Sequence, residues 1–131
     1  MTQNFKEKRR HPRIEKNVPL KIKDEQFDII TETKNISCSG AYCQVNKFLP
    51  AMTKVRVTLL LPLLSVNNKI ITKKIRCKGI VVRSEPDKPV LVNEKYSIAI
   101  FFNDISAKDM ANIAEYVNFH IDKTRSRITA G

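Results

Sequence analysis

The chain has 131 residues, with 24 Lys and Arg against 13 Asp and Glu, a formal net charge of +11. That length suits one domain able to bury its own core, and 42% hydrophobic residues are too many for a disordered chain. The basic excess implies an anionic partner: nucleic acid, an acidic membrane face, a phosphorylated small molecule or an acidic protein patch.

Residues 1–17 are polar and without periodicity, so they read as a flexible basic arm. Within it Lys6, Lys8, Arg9, Arg10, Arg13 and Lys16 are opposed only by Glu7 and Glu15. From Val18 the pattern alternates. Val18, Leu20 and Ile22 share one face of a first strand, and Phe27, Ile29, Thr31 and Thr33 resume the alternation as a second. Asn35 to Gly40 is a run of small polar residues, where Gly40 is expected to supply a positive φ for a tight turn. Ala41 to Val45 follows as a short third strand. Val55, Val57, Leu59 and Leu61 mark a fourth, and Ile71, Ile75, Cys77 and Val81 one face of a fifth spanning Ile70 to Arg83. Gly79 suggests a bulge there. Tyr96, Ile98, Ile100 and Phe102 define a sixth strand.

Ser106-Ala107-Lys108-Asp109 resembles a capping box, and Met110, Ile113, Ala114, Val117 and Ile121 then form one helical stripe of about four turns. Residues 18–123 are read as the folded unit and 124–131 as a frayed tail. Six antiparallel strands and one helix predict a mainly β protein, a small six-stranded β-barrel with a C-terminal helix docked against it.

A catalytic site is hard to assemble. There is no nucleophile elbow, no P-loop and no Rossmann glycine pattern, and three glycines leave little for a phosphate cradle. Cys38, Cys43 and Cys77 form no C-x-x-C, and His11 and His120 add no ligand spacing, so neither a disulfide framework nor a metal site is expected. Val57 to Leu64 is broken by Pro62 and is too short to span a bilayer. No apolar run follows the basic start, so no secretory leader is expected, and reduced thiols fit a cytoplasmic protein.

Two short motifs remain: Arg9-x-x-x-Arg13 in the arm and Asn35-x-Ser37-x-x-Gly40 after the second strand. In this order the pair resembles the PilZ domain family of bacterial cyclic di-GMP receptors. Cys77 to Arg83, ending V-x-R, and Ile98 to Ser106 are similar to its later strands, with Ala99 where the family has Gly. The likeness covers residues 6 to 120 and implies a non-enzymatic receptor that needs no cofactor. Arg9 and Arg13 would clamp cyclic di-GMP, with Asn35, Ser37 and Gly40 as the barrel-side wall and Lys8 and Arg10 auxiliary.

The chemistry fits the ligand. Arginine's planar fork suits a phosphodiester or a guanine O6/N7 edge, and Asn35 and Ser37 offer donors and acceptors to a base or phosphate. A downstream protein partner, in motility, pili or exopolysaccharide production, is implied, with the chain a monomer or homodimer. Two alternatives stand beside this reading: a nucleic-acid-binding β-barrel, disfavoured by few exposed aromatics, and a PilZ-like interaction module that binds no nucleotide. Lys74, Arg76 and Lys78 read as a solvated strand face with no assigned role.

Overall fold

The computed structural model describes residues 11–92 and 95–130, with the helix beyond residue 121 described by its backbone alone. Six strands precede one helix: β1 (Pro19–Lys23), β2 (Asp28–Ser37), β3 (Gly40–Val45), β4 (Lys54–Leu64), β5 (Ile70–Glu85), β6 (Tyr96–Asp104) and α1 (Ala107–Ala130). They close a barrel in the order β1-β2-β3-β6-β5-β4, every ladder antiparallel.

Alternation builds the interior. Leu20 and Ile22, then Val55, Val57, Leu59 and Leu61, then Ile75, Cys77 and Val81, then Ile98 and Ile100 are all buried, while the residues alternating with them face outward. Closure follows because each strand has one apolar face, and a closed sheet hides all six against one another with no open edge. Tyr96 and Phe102 lie in this core and Phe27 packs against it, as their parity predicts.

The helix caps the barrel through Ile113, Tyr116 and Val117, which are buried in the same cluster. Ser106 is its N-cap: the Ser106 hydroxyl accepts the Asp109 N–H at 3.1 Å and the Ser106 carbonyl accepts the Met110 N–H at 3.0 Å. The helix runs to Ala130, nearly seven turns in place of four.

Three other expectations need correction. The second strand does not end at Thr33 but runs on to Ser37, so Asn35 and Ser37 are strand residues and the turn is only Cys38–Ser39. Gly40 has no positive φ. Ile71 has the inward parity predicted for it, yet it is 44% exposed. It pairs with the buried Leu63 where the β4–β5 hairpin extends past its ladders with β1 and β6, so neighbours on that side do not cover it.

Candidate functional site

Between residues 33 and 37, β2 has no β1 partner, because β1 starts only at Pro19 and its ladder ends at Glu32. The end of the arm takes that edge. Ile14 N–H donates to the Ile36 carbonyl at 3.1 Å and Ile36 N–H to the Ile14 carbonyl at 3.0 Å, an isolated antiparallel bridge. Ile36 is buried and Ile14 packs on the core, so both point inward. The bridge is a single pair, and it ties the chain between Arg13 and Glu15 to the β2 segment between Asn35 and Ser37.

Thr33 fastens this segment. Its hydroxyl donates to the Lys16 carbonyl at 2.6 Å and accepts the Val18 N–H at 2.9 Å. Its backbone N–H donates to the Val18 carbonyl at 2.9 Å, and its carbonyl accepts the Asn17 side-chain amide at 2.8 Å. Thr33 and Val18 are both fully buried. Hydrogen-bonded burial of this kind fixes the course of the chain into the barrel.

The turn is built by serine rather than by glycine. A two-residue hairpin loop usually needs residues at φ > 0, and neither Cys38 nor Ser39 has one. The Ser37 hydroxyl instead accepts the Ser39 N–H at 3.1 Å and lies 3.1 Å from the Ser39 hydroxyl. The Ser39 carbonyl then accepts the Phe102 N–H at 2.9 Å, tying the turn to β6. Gly40 is required by proximity: a Cβ there would fall on the Ile100 carbonyl oxygen, a backbone atom that cannot step aside.

The ladders carry the surface outward from this turn in two rows. Ser37 is paired with Gly40, Gly40 with Phe101, and Phe101 with Ile80. The next row runs Asn35, Tyr42, Ala99, Arg83. Across the small Ala99, the Arg83 guanidinium sits 6.0 Å from the Tyr42 ring centroid. Phe101 is 48% exposed on the same surface.

Asn35, Ser37 and Gly40 thus lie together at the β2–β3 hairpin, with Ser37 buried, and the Ile14–Ile36 bridge brings the chain next to Arg13 against the same segment. Lys8, Arg9 and Arg10 lie outside the described residues. Tyr42 and Phe101 were not anticipated, and Arg83 was noted only as the end of a strand pattern. Their signal is cross-strand register, which no local window of sequence carries.

The cysteines take no part. Burial pushes the Cys43 thiol up to about 12, and burial with help from nearby Asp109 and Asp104 does the same to Cys77. Cys38 is raised too, by burial. Among the described residues there is no group of three or more His, Cys, Asp or Glu placed to hold a metal, and no helix long and apolar enough to cross a membrane.

The arm, the Asn-Ser-Gly hairpin and the six-stranded barrel define the PilZ domain, and the sequence matches that family over residues 7–119. The chain belongs to the PilZ domain family. Among solved structures it is similar to the Bacillus subtilis inhibitor of motility (MotI/DgrA), with a TM-score of 0.71 at 19% identity. That likeness covers 89% of this chain but only 53% of the other, so the chain spans about half the length of that protein. It is also similar to the PilZ domain of Escherichia coli YcgR with c-di-GMP, with a TM-score of 0.60 at 10% identity, covering 92% of this chain and 97% of that one. No curated protein sequence matches.

Proposed function

We propose that the chain is a bacterial cyclic di-GMP receptor, cytoplasmic and without catalytic activity, that regulates a partner protein. The observation that supports the reading is the Ile14–Ile36 bridge, which ties the residue after Arg13 to the β2 segment containing Asn35 and Ser37. Family membership adds the class of ligand, and the neighbour solved with c-di-GMP shares the fold.

In this reading Arg13 and Arg9 clamp the two phosphodiesters or the guanine edges from the arm side. Asn35 reads a base edge, and the Gly40 backbone allows close approach. Ser37 acts mainly by shaping the turn, since its hydroxyl is already engaged with Ser39. The Tyr42 ring and the Arg83 guanidinium provide an aromatic and a cationic face on which a purine stacks. Lys8 and Arg10 add charge. Ligand binding draws the arm down and remodels this surface, and the altered surface is what the partner senses.

Isothermal titration with cyclic di-GMP tests this directly. Binding at micromolar affinity or tighter is expected, and the stoichiometry separates one ligand from a stacked pair. Arg9→Ala and Arg13→Ala should each weaken it by about 10- to 100-fold, the worth of one charged hydrogen-bonded contact. Tyr42→Ala should weaken it by less. No heat at millimolar ligand would overturn the reading and leave an interaction module that binds no nucleotide.

A further inference from the structure

The charge outside the arm is not scattered. On the outer face of β1, β4 and β5, Lys23 is paired with Arg56 and Arg56 with Lys78, three cations in one row across three strands. The next row contains Lys21, Thr58 and Arg76, again directly paired. Neighbouring strands lie about 4.8 Å apart, so each row falls within one Debye length of about 8 Å either side of its centre and the fields add. Like charges placed directly opposite one another destabilise a sheet. Among the described residues, Lys21 pairs with Asp28 at 3.5 Å and Lys78 with Asp104 at a marginal 4.0 Å. Among the described residues no carboxylate pairs with Lys23, Arg56 or Arg76. The fold tolerates a repulsion that an incoming anion would relieve.

This face is distinct from the hairpin surface but adjoins it: β1 pairs with β2, and β5 carries Arg76 and Lys78 as well as the Ile80 and Arg83 that end the two rows, while β4 lies three strands from β3 in the closed order. It is also hollowed. Two adjoining cavities of about 360 and 530 Å³ share Lys23, Arg56 and Lys78 in their walls. Their walls also include acidic groups, Asp24 and Glu25 in one and Asp104 in the other.

We propose that this face is a docking site for an acidic segment of a partner protein, separate from the hairpin surface. Charge complementarity selects an anion, and the hollow with its acidic wall residues selects the form. A narrow segment enters and places carboxylates on Arg56 and Arg76, whose forks bind them bidentately. A flat anionic bilayer or a broad duplex would bridge the hollow and meet the acidic groups. None of the face's defining residues is aromatic, so it has no stacking platform for a single-stranded nucleic acid.

The test uses the full chain, a fluorescein-labelled peptide of about ten glutamates, and anisotropy at low and physiological salt. The peptide should bind, and Arg56→Glu with Lys78→Glu should weaken it by about tenfold or more, since reversal turns two attractions into repulsions. Lys88→Glu with Lys108→Glu changes the net charge equally and should leave affinity within about twofold. Both double variants should keep the parent's titration with cyclic di-GMP, a readout independent of the peptide. Equal loss in both pairs would reduce the effect to bulk charge and overturn the proposal. Tighter, face-dependent binding of a random-sequence DNA duplex or of phosphatidylglycerol vesicles would overturn it in favour of those partners. Chemical denaturation reports folding: Arg56→Glu with Lys78→Glu should still unfold in one cooperative transition, since the new carboxylate at position 56 faces Lys23, although like charges still oppose one another at positions 56 and 78 and the Asp104 contact is lost.

Discussion

Thr33→Val is the most informative single change. Valine keeps the shape but removes a hydroxyl that donates to the Lys16 carbonyl and accepts the Val18 N–H. Lys16 is exposed, so water can replace the bond to its carbonyl. Val18 is fully buried, and its N–H loses that acceptor. A buried donor left unsatisfied costs roughly 1–3 kcal/mol, so a loss of about 2 kcal/mol is expected. For a domain of this size each kcal/mol moves the midpoint by about 3–6 °C, giving a fall of roughly 6–12 °C. The damage should be concentrated at the arm, because the lost bonds are two of the four that hold residues 16–18 to Thr33 of β2. Hydrogen exchange at the Ile14 and Ile36 amides, which form the bridge, should quicken by roughly thirtyfold for 2 kcal/mol of local opening. Thr33→Ser retains both bonds and should keep the slow exchange even if it loses some stability with its methyl. Unchanged exchange at Ile14 in the valine variant would refute the latch, as would equal acceleration in the serine variant.

Gly40→Ala should lower stability by about 1–3 kcal/mol in chemical denaturation, since the new methyl meets the Ile100 carbonyl rather than a yielding side chain. Ser106→Ala should cost about 1 kcal/mol by removing the helix N-cap, read by the same assay. Stability should fall as pH rises above 9. The unfolded thiols ionise near 9.0 while Cys43 and Cys77 hold their protons to about 12, so the unfolded chain loses protons first. Thermal midpoints from pH 8 to 11 should show that decline, and a Cys77→Ala variant should show less of it. In native protein at pH 8 these two thiols should react far more slowly with a disulfide reagent than in urea.

Much of the barrel was legible because each strand buries one face, and a buried face writes itself as alternation. Val55, Val57, Leu59 and Leu61 form a strand for that reason, and all four are inside. The helix stripe and its serine cap were legible through the same local logic. Other features depend on partners distant in sequence. Thr33 looked like one more alternating residue, and its role appears only when Lys16 and Val18 lie beside it. Ile71 had the right parity but lies where the β4–β5 hairpin extends past its ladders with β1 and β6. Gly40 was singled out for backbone freedom, whereas what its position demands is the absence of a Cβ beside the Ile100 carbonyl. Of the candidate site, the hairpin residues were visible because turn chemistry is local. Tyr42, Phe101 and Arg83 were not, because register across β3, β6 and β5 places them there.

The pairing order also has a temporal side. The β3–β6 ladder joins Gly40 to Phe101 and Tyr42 to Ala99, neighbours in space that are synthesised far apart. A ribosome adding about 5–20 residues per second needs a few seconds to about ten to cover the roughly fifty residues between those strands. Throughout that interval the β2–β3 hairpin has a bare hydrogen-bonding edge, the hazard that closure later removes. The hairpin with its Asn-Ser-Gly motif is translated early, yet its β6 neighbours are supplied last. A nascent chain paused before β6 would have the motif intact and the surface around it unfinished.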